Sequence, residues 1–358
     1  MDDQHTTHLA RPDLQIPPSR SIVNICLVLG PSDPGLQWLP APIFSFLIRH
    51  QDAGRTLVFD LGIRKDWQNL SPNMMSLFKT LGWTLQVEKG VHEILDEGGI
   101  DTSKIEATIL SHHHFDHTGD PSTFDPSTNL IVGPGFKECM LPGYPANTAS
   151  PILESDYTGR NLVELDFTAL FFLLDSPGHT VGHICGLARG TSAPSGSSFV
   201  LMSGDAFHHA AGIRLSPYLS LPKEISPDPF SSLSPQRGSG DGCSCPGSVF
   251  ESLLPNGLTQ PFYEPARLAV HSFHHDVDEL VRTVGKLQEM DAHDSTFVAA
   301  AHDESLLDVV SFFPASTAND FAEKGWVPKC RWMFLLDFAE AVDRGGEAAK
   351  KRQGWAPL

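Results

Sequence analysis

Positive charge is scarce in this sequence. Its 43 Asp and Glu residues face only 25 Lys and Arg, giving a formal charge of −18, and no basic stripe interrupts the acidic background. Phosphate neutralisation needs clustered cations, so the composition argues against a general nucleic-acid binder. Long apolar runs are missing as well. Nowhere do about 18 apolar residues follow one another, and neither a membrane-spanning segment nor a membrane partner is expected. Cysteine is sparse: Cys26, Cys139, Cys185, Cys243, Cys245 and Cys330 are too few and too scattered to staple 358 residues, which leaves reduced thiols as the expectation. The opening M-D-D-Q-H-T-T-H-L-A-R-P has neither the basic start nor the apolar stretch of a secretory signal, so a cytoplasmic location is expected. Two motifs are absent too. Without G-x-S-x-G or G-x-x-x-x-G-K-[ST], serine-hydrolase and nucleotidase readings fall away.

What is present is a globular composition, 41% hydrophobic, patterned as alternating strands and helices. Short apolar runs bounded by turn residues predict strands over 22–29, 56–59, 107–110, 130–132, 169–174, 199–202 and 296–300. Apolar residues returning every three or four positions predict helices over 72–81, 91–97, 277–290 and 332–342. Interleaving of the two implies an α/β layered fold. Residues 1–20 read as a polar N-terminal arm ending in Pro17-Pro18, suited to strapping onto a second copy of the chain in a homodimer. Residues 21–358 read as one hydrolase-sized domain. Within it, 216–265 is a Pro/Ser/Gly-rich insertion long enough to be either a lid or a disordered loop.

The chemistry concentrates after the predicted strand 107–110, in S-H-H-H-F-D-H-T-G-D. His112, His114, Asp116 and His117 place four metal-competent side chains in one turn, enough to begin two cation sites. Three later strand ends offer the remainder: His179 in P-G-H-T, Asp205 in S-G-D and His302 in A-H-D. Loops at one edge of a rigid sheet can gather such distant ligands, because strands fix position while loops aim side chains.

These residues resemble the metallo-β-lactamase superfamily, whose H-x-H-x-D-H signature is matched by His112, His114, Asp116 and His117. The resemblance runs from about residue 21 to residue 303. It implies a four-layer αββα sandwich holding two divalent metal ions, with zinc expected. It further implies His112, His114 and His179 on one ion, Asp116, His117 and His302 on the other, and Asp205 bridging. The motifs P-G-H-T-V-G-H, S-G-D-A and A-H-D are most similar to the N-acyl-homoserine-lactone lactonase-like branch. Where that branch commonly has Tyr three residues after the bridging Asp, this sequence has His208, followed by His209.

The activity so implied is opening of a small cyclic ester or cyclic amide, a lactonase or lactamase reaction in which a metal-bridging hydroxide attacks the carbonyl. Asp116 is expected to orient the nucleophile, and His208 to donate a hydrogen bond to the developing oxyanion or the leaving group. His209 competes for that role, since neighbouring side chains after a strand face opposite ways. Phe207, Tyr218, Phe230, Phe250, Phe262 and Tyr263, in or beside the insertion, suggest an apolar or aromatic substrate; the resemblance alone, through relatives that open fused rings of the benzoxazolinone type, adds such lactams to the expected substrates. A glyoxalase II-like thioesterase and a di-iron redox protein on the same scaffold stand as alternatives. Asp60 is read as a carboxylate backing a ligating imidazole, His183 as structural, and His113 as a spacer. His271, His274 and His275, just before the helix 277–290, either line the pocket or cap the fold, with capping favoured, and Cys243-x-Cys245 is read as too small a set for a metal site.

Overall fold

The computed structural model describes residues 9–11, 23–29, 42–50, 53–83, 85–165, 173–193, 196–231, 244–267 and 274–343. Among the described residues twelve strands are formed in chain order: β1 Asn24–Leu29, β2 Phe44–His50, β3 Arg55–Phe59, β4 Ala107–Ile109, β5 Asn129–Val132, β6 Leu162–Glu164, β7 Leu173–Asp175, β8 Ile184–Ala193, β9 Gly196–Met202, β10 Glu224–Ile225, β11 Cys245–Pro246 and β12 Thr296–Ala299. One sheet runs β1-β2-β3-β4-β5-β6, a second runs β12-β9-β8-β7, and β10 pairs β11 apart from both.

Period-two alternation explains why the two large sheets face each other. Along β2, Phe44, Phe46 and Ile48 enter the central core while Leu47 enters the core on the opposite face. Along β9, Val200 and Met202 point to that same central core, and Phe199 and Leu201 point away. β12 repeats the pattern with Phe297 and Ala299 inward and Val298 outward. Strands buried on both faces lose the polar-apolar alternation of a half-exposed strand and read as continuous apolar runs.

Helices cover the outer faces. Val91 and Leu95 of the helix Val91–Glu97 pack on the six-stranded sheet, and Leu280, Val284 and Leu287 of the helix Val277–Asp291 pack on the four-stranded one. The result is the helix-sheet-sheet-helix arrangement expected of the fold. Local signals set the helix bounds. Ser71 accepts from Met74 N before Pro72 and Gly82 closes the turn in a left-handed conformation, so the helix Pro72–Leu81 coincides with its predicted span. Asp276 accepts from Glu279 N and starts Val277–Asp291 in the same way.

Several expectations change. The helix predicted over 332–342 is a 3-10 helix, Met333–Phe338, running into a short α-helix, Ala339–Asp343. Of the strand predicted over 169–174, residues 169–172 lie outside the described ones, and β7 continues to Asp175. β2, β6 and β8 carry no predicted strand. β8 is made of I-C-G-L-A-R-G-T-S-A, whose glycines and polar residues hide a strand that is held by neighbours on both sides. Of the arm over residues 1–20, only 9–11 are described; there Leu9 N donates to Pro217 O at 3.2 Å.

The described part of the 216–265 insertion is packed. Ile225, Cys245, Phe250, Leu253 and Phe262 share a separate core with Trp332, Phe334, Leu335 and Phe338 of the C-terminal segment. This corrects the aromatic-substrate argument: Phe250 and Phe262 are buried there, Phe230 stacks on Phe250, and Phe207 is buried under the four-stranded sheet. Packing consumes the surface of Phe207, Phe250 and Phe262 and leaves Phe230 half-buried.

Candidate metal centre

Strand ends deliver the site. β3 runs into Asp60, β4 into the loop of His112–His117, β9 into Asp205 and β12 into His302, while His179 sits between β7 and β8. Backbone bonds tie these loops together: Ile184 N donates to Ser111 O at 2.9 Å, Leu61 N to His117 O at 2.8 Å, and Phe44 N to Ala301 O at 3.0 Å.

Two groups of donors result. His112, His114, His179 and Asp205 form one, and Asp116, His117 and His302 the other, the donor atoms of each lying within 4.8 Å of one another. Asp205 lies between them. Its Oδ1 is 3.2 Å from His117 Nε2 and 3.3 Å from His302 Nε2, and its Oδ2 is 3.7 Å from His112 Nε2 and 3.6 Å from His179 Nε2. His114 turns Nδ1 toward His179 Nε2, at 3.2 Å.

The donor set fits divalent cations on one decisive point. His112 Nε2, His117 Nε2 and Asp205 Oδ1 are buried, converge on a common centre and make no hydrogen bond. Three such atoms in one place are costly in a folded protein unless something else satisfies them.

The far sides of the imidazoles are fixed. His117 Nδ1 lies 2.9 Å from Asp60 Oδ2, whose other oxygen accepts from Ser111 N at 2.6 Å. His302 Nδ1 donates to Pro42 O at 2.9 Å, and His112 Nδ1 meets Ser111 Oγ at 3.0 Å. His183 is a support, not a ligand: its Nε2 accepts from the backbone N–H of Asp205 at 3.1 Å, so Nδ1 carries the proton toward Ser176. Gly204 completes this support, because at φ +51° a Cβ would stand 2.9 Å from His183 Nε2.

The electrostatics separate the histidines. Burial, reinforced by neighbouring imidazoles, holds His112 and His179 well below the usual value and brings His183 to about 4. These rings are neutral and keep a lone pair for a cation. For His117 and His302 burial acts in the same direction but is outweighed by carboxylates. Asp205, Asp116 and Asp60 raise His117 well above its usual value, and Asp205 and Asp116 raise His302 to about 10. Burial likewise opposes the charge on Asp116, yet His117 and His302 bring it down to about 2. The pocket demands positive charge.

His208 and His209 part ways. His208 Nε2 is 3.2 Å from Asp205 Oδ2, and its ring lies parallel to that of His302 at 5.9 Å. His209 turns outward, Nε2 donating to Asp337 Oδ2 at 2.8 Å and Nδ1 accepting from Ala211 N at 3.0 Å. For His274 the structure favours pocket lining over fold capping: Nδ1 lies 3.0 Å from His179 Nδ1, within the site. Its position before a helix in sequence gave no sign of this contact across 95 residues. His275 N donates to His179 O at 2.8 Å, and His113 is half-buried. His271 and Cys243 lie outside the described residues. Phe115, between the ligand-loop residues His114 and Asp116, packs against Phe78 and Trp83, with Trp67 on Phe78, an aromatic cluster unforeseen from the sequence.

Comparison with known proteins agrees with this architecture. Gamma-lactamase FDB1 of Fusarium pseudograminearum (strain CS3096) is 37% identical over 94% of this chain and 88% of its own length. Metallo-hydrolase mfmC of Annulohypoxylon moriforme is 37% identical over 94% of this chain and 93% of its own. Cytochrome P450 monooxygenase mpaDE of Penicillium roqueforti (strain FM164) is 35% identical over 93% of this chain, which spans only 39% of that protein's length. The sequence profile of the Metallo-beta-lactamase superfamily matches residues 38–294, more than half of the chain. The chain belongs to the metallo-beta-lactamase superfamily.

Proposed function

We propose that this protein is a dinuclear metal-dependent hydrolase that opens a small cyclic amide or cyclic ester. The observation that carries the reading is the convergence of seven His and Asp donors in two groups about Asp205, with three of their buried atoms unsatisfied within the protein. In this reading His112, His114 and His179 would hold one cation and Asp116, His117 and His302 the other, with Asp205 available to both. Zinc suits nitrogen-rich sets of this kind. Two bound cations would supply an activated water and polarisation of the carbonyl oxygen.

The remaining work falls to the chain's own residues. Asp116, held ionised between His117 and His302, would orient the attacking water and accept its proton. His208 would direct an N–H at the oxygen that gains charge or at the leaving group, from a ring already fixed beside Asp205 and His302. Phe115, backed by Phe78 and Trp83, would present an apolar surface to the substrate ring. The relatives named gamma-lactamase and metallo-hydrolase support a cyclic amide as the first substrate class to test. Cys26, Cys139, Cys185, Cys245 and Cys330 are free thiols, which suits the cytoplasm as its place of work.

A panel of lactams, lactones and thioesters assayed with zinc-loaded protein tests the reading. Ring opening of lactams or lactones, with metal analysis giving close to two ions per chain, is the expected result. Turnover of thioesters alone, or full activity with one ion, overturns it.

A further inference from the structure

The two donor groups have unequal surroundings. Negative charge gathers on one side. Asp116 is itself a carboxylate, Asp205 Oδ1 lies 3.2 Å from His117 and 3.3 Å from His302, and Asp60 Oδ2 stands 2.9 Å behind His117. On the other side the donors are the imidazoles of His112, His114 and His179, and Asp205 Oδ2 is the carboxylate oxygen facing them. Their supports are a hydroxyl and an imidazole: Ser111 Oγ is 3.0 Å from His112 Nδ1, and His274 Nδ1 is 3.0 Å from His179 Nδ1. His208, also facing Oδ2, adds another imidazole.

A carboxylate behind a ligating imidazole makes it a stronger donor, and removing such a support characteristically weakens metal affinity by about 10- to 100-fold. Each nearby carboxylate also attracts a divalent cation strongly where water is excluded. We propose that the Asp116/His117/His302 pocket takes up the first cation and holds it more tightly, while the His112/His114/His179 pocket fills second and exchanges more readily. This rests on the dinuclear reading above and adds an order of loading to it.

The test reads binding and not turnover. Metal-stripped protein is titrated with zinc by calorimetry in the presence of a competing chelator, and folding of every variant is checked by circular dichroism. The wild-type chain should show two events of one zinc each, with dissociation constants at least about tenfold apart. His302→Ala should abolish the tight event. His179→Ala should abolish the weak event and spare the tight one. Asp60→Asn keeps a hydrogen-bond acceptor and tolerates the φ of 59° found at this position, so it should weaken the tight event by about 10- to 100-fold and spare the weak one. The two histidine variants decide the order independently of Asp60. Two equal events, or loss of the tight event in His179→Ala, overturn the order of loading and leave a two-metal site standing. Uptake of one zinc or none by folded wild-type protein overturns both.

Discussion

The metal edge and the core shared by the insertion with the C-terminal segment are both assembled from distant parts of the chain, yet they are held by opposite means. At the metal edge, buried polar groups are arranged by hydrogen bonds: Asp60 to His117 and Ser111, His183 to the backbone of Asp205, Pro42 to His302. In the second region Phe250, Phe262, Phe334 and Phe338 interlock with almost no polar chemistry. The first region is rich in function and costly in desolvation; the second is rich in burial. Damage to the first should therefore appear in chemistry and metal content, and damage to the second in stability.

The largest effect is expected at the contact between the two donor groups. Asp205→Ala removes the carboxylate facing both and should abolish measurable turnover, with metal content falling below two ions per chain by elemental analysis. Near-normal kcat with two bound ions would remove Asp205 from the donor set.

Phe250→Ala probes the other region. Phe250 is fully buried, and truncation of such a side chain costs about 3 to 5 kcal/mol. Urea unfolding should show that loss while the folded variant keeps its full metal complement. A fall in metal content of the folded variant would show that the two regions are energetically coupled.

The His208-His209 step sharpens the comparison, because one residue faces each region. His208→Ala should lower kcat by about a hundredfold, in the range of losing one oxyanion donor, with both metals retained. His209→Ala removes a partly exposed pair with Asp337 and should cost about 1 kcal/mol or less in stability, with kcat nearly unchanged. The reverse pattern would transfer the catalytic role to His209.

The last expectation concerns pH. His302 in the metal-free protein is raised from the usual 6.5 to about 10 by Asp205 and Asp116 once they overcome burial. A raised imidazole contributes stability that is fully present below about pH 6.5 and lost as pH climbs through about 10. Thermal unfolding of metal-free protein should therefore weaken across that window. With metals bound the ring is a ligand, so the same scan should be flatter. Metal uptake should also release protons below pH 10, measurable as buffer-dependent heat.

How much of this was legible in the sequence follows from the same contrast. H-x-H-x-D-H is compact, and its residues must be those types for the chemistry to work, so His112, His114, Asp116 and His117 stand out without a structure. His179, Asp205 and His302 stand out by their strand-end positions. Helix Pro72–Leu81 was readable because Ser71, Pro72 and Gly82 encode its ends locally. β8 was not, since nothing local forces I-C-G-L-A-R-G-T-S-A to be extended; pairing with β7 and β9 does.

The sequence by itself determined the α/β layering, the chemistry of the donors and the family to which the chain belongs, because these depend on residue type and short-range periodicity. Tertiary structure alone decided which histidine of the 208-209 pair faces Asp205, that His274 supports His179, that Phe250 and Phe262 of the insertion are core and that Phe115 packs against Phe78 and Trp83. Each of those outcomes depends on a contact between segments far apart in the chain. Such contacts leave no local signature, because the free energy that selects them belongs to the packed whole.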